Sequence, residues 1–275
     1  MLTNGLPLQD LLRILADYSG QNALHYFSLV LLAWAALWLV ARLPRGQVRP
    51  LPASMQGRQL RREFLYSLST IVLGGAIAPL VLLFGYGPQL NFYGQIDEFG
   101  WPWFFFSILL MMFVRDTLFY WEHRLMHMKQ VFRFAHRIHH LSNQTTPLSG
   151  FSVHPLEGVF AAAIPYTLIL FLVPKHPAAY LIFVWADSAV AVLTHMGYEP
   201  FPRGFSRHWL GRWIGTSTAH QAHHRNSRCN YALYFLFWDR LMGTLDPEYD
   251  ARFDIATGVK PRPAPAALPA GPSLR

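Results

Sequence analysis

Cysteine is nearly absent: the 275 residues hold one, Cys229. A lone cysteine excludes an internal disulfide framework and any cysteine-based zinc or iron–sulfur site. Charge is scarce too, at 14% of residues, where a soluble domain carries roughly 25%. With 52% hydrophobic residues and 15% aromatics, that deficit excludes an ordinary soluble globule and a disordered chain. A basic face interleaved with base-stacking aromatics is also missing. The aromatics lie inside the apolar runs, so the net charge of +8 indicates no nucleic-acid partner and bears instead on membrane topology.

What is present is a series of uncharged stretches: Ala23–Ala41, Phe64–Ile96, Phe99–Val114 and Gly158–Pro174. A bilayer crossing needs roughly 20 mostly apolar residues. The expectation is an all-α, polytopic membrane protein with about four to five membrane helices. Leu8, Leu11, Leu12 and Leu15 recur at helical spacing with Asp10, Arg13 and Asp17 between them, which predicts a short surface helix before the first span at about 24–40. This stretch lacks the basic n-region and small-residue cleavage site of a signal peptide.

Residues 42–62 hold six Arg and no acid, which marks a cytoplasmic segment. A second span, about 64–84, then leads outward to a loop carrying Asp97 and Glu98 but no Lys or Arg. The third span starts near Trp101 and reaches its inner end at Arg115 and Asp116, with the helical pattern continuing to about His127. Two short apolar arms, 158–174 and 177–194, flank Lys175 and His176 and read as a hairpin. Pro165, Asp187 and the arms' short length argue against two full crossings. The chain thus divides into an N-terminal membrane region (1–114), a unit at 115–250 that includes the hairpin, and a Pro-rich tail from Gly258 expected to be disordered. This topology puts 115–154 and 195–275 on the cytoplasmic side of a bacterial inner membrane or an endoplasmic reticulum membrane.

Histidine is abundant. Of 13, all except His25 lie between positions 123 and 224. They fall into His123-x-x-x-His127, His136-x-x-His139-His140, a single His195, and His220-x-x-His223-His224. Random placement would yield roughly 0.03 copies of HxxHH, and there are two. On a helix, positions three and four apart share a face, so one turn offers two or three imidazoles to one centre. Imidazole suits iron, zinc, copper and nickel. A zinc site takes at most four protein ligands, so this many clustered histidines point to two adjacent metals.

Lone His25, His176 and His208 read as structural interfacial residues. His154 stands between ligand, support and cap. Asp116 and Asp187 lie about two turns before His123 and His195 in apolar surroundings, where a carboxylate needs a partner. Each is a candidate to orient a ligand or to pair with an Arg. Glu122, Glu157 and Asp239 are further candidates for that support. Cys229 reads as a small buried residue.

The segment from Arg115 to His127 resembles the first histidine box of the fatty acid hydroxylase/sterol desaturase superfamily. His136-Arg-Ile-His-His140 resembles the second box. His220-Gln-Ala-His-His224, with Asn230-Tyr231 and Trp238 to Thr244, resembles the third box and its trailing signature. His154-Pro-Leu-Glu-Gly158 and Ile164-Pro-Tyr166 are similar to the sterol C-5 desaturase (lathosterol oxidase) branch. The resemblance covers about 115–247. It implies a helical membrane enzyme with a cytosol-facing di-iron centre, using dioxygen and two electrons to hydroxylate or desaturate a sterol-like or fatty acyl lipid.

By motif the ligands are His123, His127, His136, His139, His140, His195, His220, His223 and His224. His154 is the candidate for a tenth, with Asp116, Asp187, Glu157 and Asp239 as further ligands or supports. The His-Pro-Gly-Gly motif of a fused cytochrome b5 is absent, so electrons come from an external cytochrome b5- or ferredoxin-type donor. Phe113, Phe119, Tyr120, Tyr166 and Trp185 are candidates to line the lipid channel, or to pack helices. Hydroxylation and desaturation begin with the same hydrogen abstraction, so both stay open. Rival readings are a zinc-dependent membrane hydrolase, which needs about three ligands and a catalytic carboxylate, and a metal transporter or storage protein, which needs ionisable residues along several spans.

Overall fold

The computed structural model describes residues 7–42, 53–83 and 89–259. In chain order the helices are α1 (Leu8–Val40), α2 (Ala53–Leu83), α3 (Gly100–Met126), α4 (Lys129–Phe132), α5 (Arg137–His140), α6 (Pro155–Gly158), α7 (Ile164–Leu172), α8 (Pro177–His195), α9 (Ser217–Arg225), α10 (Phe237–Leu241) and α11 (Tyr249–Ala256). Among the described residues there is no strand, only isolated bridges at Phe92–Lys175 and Ile214–Phe235. Four helical stretches are long and apolar enough to cross a membrane: Gln9–Val40, Gly100–Met126, Pro155–Leu172 and Pro177–His195. The protein is an all-α, polytopic membrane protein.

The surface helix and first span expected as separate elements form one 33-residue helix, α1. Polar residues lie between the two apolar stretches, but no proline does, so the backbone ladder runs on. α2 packs along α1. A Cβ on Gly75 would fall 2.9 Å from the backbone N of Ser19, so only glycine permits this approach. The start of α2 is polar, and Glu63 accepts hydrogen bonds from Ser142, Thr146 and Gln59 at 2.6–2.8 Å. The Tyr26 hydroxyl of α1 donates to the Leu148 carbonyl at 2.8 Å. Together α1 and α2 pin the loop that follows the second histidine motif.

The hairpin forms as two helical arms. Pro165 is accommodated in the first because a π-helical turn, Val159–Ala163, precedes it. Proline removes one N–H and crowds the preceding turn, which a wider turn relieves. Phe104, Met111, Ile169 and Phe183 form the apolar core where α3, α7 and α8 meet. At the hairpin tip buried Lys175 donates to the carbonyls of Leu90, Leu170 and Val173 at 2.6–2.9 Å, closing the segment before α3 onto the hairpin. The chain leaves α11 at Thr257. Apart from Gly258 and Val259, the tail expected to be disordered lies outside the described residues, as does Phe84 at the end of the expected second span.

Candidate metal centre

α3 carries His123 and His127 at its C-terminal end, one turn apart and on one face. α8 ends at His195. α5, with His136 at its start, presents His136 and His140 on one side and His139 on another. α9 does the same with His220 and His224 against His223, and its N-terminus is capped by Thr216, which accepts from the Ala219 N–H at 3.1 Å. The nine histidines converge as two groups. His123, His127, His136, His140 and His223 form the first, and His139, His195, His220 and His224 the second. Within each group the ligand atoms lie within 4.8 Å of one another. α5 and α9 each serve both groups, whereas α3 serves the first and α8 the second.

The hydrogen bonds fix which nitrogen faces inward. His123 Nδ1 lies 2.7 Å from the Tyr231 carbonyl, and His223 Nδ1 lies 2.7 Å from that of Cys229. His195 Nδ1 lies 2.6 Å from the Ala191 carbonyl, and His136 Nδ1 lies 2.7 Å from Glu157 Oε1. His139 Nδ1 is 3.4 Å from the Ser152 carbonyl. The four carbonyl oxygens only accept, and Glu157 does so when ionised, so in these contacts each Nδ1 is the protonated donor and, in a neutral ring, each Nε2 is a bare lone pair.

Those lone pairs face one another. His123 Nε2 is 3.0 Å from His136 Nε2, and His195 Nε2 is 3.3 Å from His139 Nε2. Neither contact is a hydrogen bond between neutral rings, and the repulsion calls for a cation between them. The other spacings run from 2.9 to 3.4 Å. A metal–nitrogen bond of about 2.1 Å sets neighbouring ligands about 3.0 Å apart at octahedral and about 3.4 Å at tetrahedral angles, so the donors fit metal coordination.

Burial keeps the rings neutral. Desolvation, followed by neighbouring histidines, pushes His127 and His140 down to about 2. Desolvation holds His139 at about 4. His136, His220, His223 and His224 lie well below the ordinary range for the same reasons. Neutral imidazole is the form that binds metal.

The carboxylates divide. Glu157 supports His136 directly. Asp116 instead accepts from the N–H groups of Leu233 and Tyr234 at 3.2 and 2.7 Å. Asp239 accepts from those of Tyr231 and Ala232, each at 2.9 Å, and from Thr244. Both clamp the loop whose Tyr231 carbonyl receives His123, and so act on the site at one remove. Asp187 pairs with Arg115 at 3.5 Å and accepts from the Tyr166 hydroxyl at 2.5 Å, away from the histidines. His154 belongs to neither group. Its Nδ1 accepts from the Leu156 N–H and caps α6. His176 and His208 accept in the same way from Ala178 and Leu210.

Among the proposed channel residues, Phe119 lies against His123 with ring centroids 4.9 Å apart. Tyr120 is fully buried and bonded to Thr244, which fits packing rather than a channel wall. Trp185 lies tilted against His25 with ring centroids 3.9 Å apart and is exposed. The backbone acceptors at Ser152, Ala191, Cys229 and Tyr231 carry no side-chain signature. Their only sequence trace is the Asn230-Tyr231 pair, where Asn230 takes a left-handed φ of 55° and ties Ala219 to Asp246. A hollow of about 290 Å³ reaches from the surface to His140 and His224, one histidine of each group, between Arg137, Asn143, Arg225 and Ser227.

A helical membrane protein with two adjoining histidine groups at the ends of its spans defines a narrow class. The profile described as Fatty acid hydroxylase matches residues 108–244, and through this segment the chain belongs to the fatty acid hydroxylase family. It is 31% identical over 166 residues to a Delta(7)-sterol 5(6)-desaturase of Gibberella zeae, covering 58% of this chain and 50% of the relative. It is 30% identical over 193 residues to the lathosterol oxidase of Rattus norvegicus, covering 68% and 61%. It is 32% identical over 170 residues to a C-4 methylsterol oxidase of Schizosaccharomyces pombe, covering 60% and 54%. The chain thus spans only about half to three fifths of the length of these curated relatives. No solved structure matches it.

Proposed function

We propose that the protein is a membrane-bound, non-haem di-iron oxygenase that hydroxylates or desaturates a lipid, with residues 115–250 as its catalytic unit. The observation that carries this is the pair of adjoining groups in which bare Nε2 atoms face each other. The nine histidines would hold two irons, and their all-nitrogen donor set suits iron. When bound, the irons supply the oxidising power with dioxygen that an unactivated C–H bond requires. In hydroxylation one oxygen atom would enter the lipid and the other leave as water, in desaturation both would leave as water, and in either case two electrons and two protons would come from outside, the electrons from an external donor.

This chain's own residues then have distinct tasks. Buried carbonyls and Glu157 hold the Nδ1 atoms of His123, His136, His139, His195 and His223 and so aim their Nε2 atoms. Low basicity keeps the rings unprotonated at neutral pH. The apolar arms of the hairpin and Phe119 keep the site dry and offer a lipid a sideways path from the bilayer. The arginines of 42–62 support a cytoplasmic position for the centre. The relatives' printed activities favour a sterol-like substrate. A zinc hydrolase would need a catalytic carboxylate at the open position. Glu157, the carboxylate that touches these rings, does so from behind His136.

The test is lipid profiling of cells expressing the protein under isotopically labelled dioxygen. Conversion of a lipid that is lost in His139→Ala and His223→Ala proteins, together with their metal, is the expected result. His176→Ala and His208→Ala should keep activity and metal. Full activity of His223→Ala with normal metal content contradicts the ligand assignment.

A further inference from the structure

The cytoplasmic cap exposes an apolar patch that its own fold does not cover. Trp209 is 74% exposed and Leu241 61% exposed. Leu210, Trp213, Phe237 and Met242 are exposed beside them. Two chain segments build this patch. The Leu236 N–H donates to the Trp213 carbonyl at 2.8 Å, and Arg240 Nε donates to the Arg212 carbonyl at 2.9 Å. The rings of Trp213 and Phe237 lie 6.4 Å apart. The two segments therefore move as one surface.

That surface continues the lipid-facing side of α3. Phe105, Leu109 and Phe113 are exposed at four-residue spacing along one face of this spanning helix. Phe113 meets Phe237 with ring centroids 6.4 Å apart. α10 is fixed there by Trp238, which donates to Thr117 at 3.1 Å and stacks on Tyr120 at 5.9 Å. At the border, the guanidinium groups of Arg212 and Arg240 lie 5.1 and 5.7 Å from the Trp213 ring centroid. Residues 200–238 contain no Asp or Glu. Exposed Trp flanked by Arg is the composition of a surface seated at headgroup depth, and Asp250, the acid that acts electrostatically on Arg240, lies outside both segments on α11. An apolar patch of this kind in water is an aggregation liability.

We propose that residues 209–213 and 237–242 form a membrane-inserted anchor, with Trp209, Leu210 and Leu241 below the headgroups and Arg212 and Arg240 among the phosphates. The anchor does not depend on the reading of the metal centre, but it has a consequence for it. Its two halves bracket residues 214–236, which carry His220, His223, His224 and the carbonyls that receive His123 and His223. Insertion fixes this third of the candidate ligand set to the bilayer at both ends.

The test is spin-label depth measurement on the full chain in phosphatidylcholine vesicles. Single cysteines replace Trp209, Leu210 and Leu241 in turn, with Ala251→Cys on α11 as the aqueous control. All four positions are exposed, so the fold tolerates the change, and buried Cys229 gives the background in unsubstituted protein. The expected result is a severalfold higher ratio of oxygen to nickel-chelate accessibility at the three patch positions than at 251. A ratio equal to the control overturns the proposal. So does low accessibility to both reagents with dipolar broadening, which identifies a second copy of the chain as the occupant.

Discussion

Among the described residues Glu157 is the one carboxylate whose hydrogen bond reaches a histidine of the centre, through His136 Nδ1 at 2.7 Å. Outer partners of this kind typically contribute about 10–100-fold in metal affinity. Glu157→Ala should therefore lower iron affinity within that range, as read by competition with a chelator. An unchanged affinity would reduce Glu157 to packing.

The ring nitrogens add a pH dependence. His127, His140 and His139 have folded-state values of about 2, 2 and 4, below an unfolded value of about 6.5. A lowered folded value means that the unfolded chain binds more protons between the two. Metal-free protein should therefore hold its full stability above about pH 6.5 and lose it as pH falls, each such histidine adding up to about 1.4 kcal/mol per pH unit. Thermal unfolding of the apoprotein from pH 7.5 to 5 checks this, and a flat profile would contradict it.

At this scale the histidines were legible because two HxxHH sets are too improbable to be incidental. The carboxylates were less so. Asp116 and Asp187 share helix faces with His123 and His195, but two turns amount to about 11 Å. That is beyond the reach of an aspartate side chain, so each found a nearer partner.

At the level of helices, Arg115 of α3, Tyr166 of α7 and Asp187 of α8 meet in one buried contact. Removing one member of a buried pair leaves an uncompensated charge and costs about 3–5 kcal/mol. Asp187→Leu should lower the melting temperature of the detergent-solubilised protein by that mechanism, and adding Arg115→Met should restore most of the loss. A double variant no more stable than the single one would show that the charge is not the cause. The apolar runs located the long helices, but α2, expected as the second span, is not among the four stretches long and apolar enough to cross, whereas both hairpin arms, read as too short, are. Periodicity alone split α1 in two, because Asp10, Arg13 and Asp17 give its start an amphipathic look although nothing breaks the backbone. Pro165 is the local trace of the π-helical turn before it, while the packing of that arm against α2 and α3 has none.

For the whole molecule, the decisive feature is how the groups are shared. α5 and α9 each supply both groups, while α3 supplies only the group of five and α8 only the group of four. The i, i+4 pairs could be read from spacing, but the division into five and four could not. It depends on long-range docking of segments up to about 100 residues apart, with loops held by Asp116, Asp239 and Asn230. Because the groups share α5 and α9, the centre assembles as a unit, and both metal positions should fill together.

The most direct test is the transition-metal content per chain of protein purified in mild detergent from iron-supplied cells, with iron and zinc both counted. The account predicts about two irons per chain. Protein that binds no transition metal, or no more than one per chain, after loading with iron and separately with zinc would contradict it.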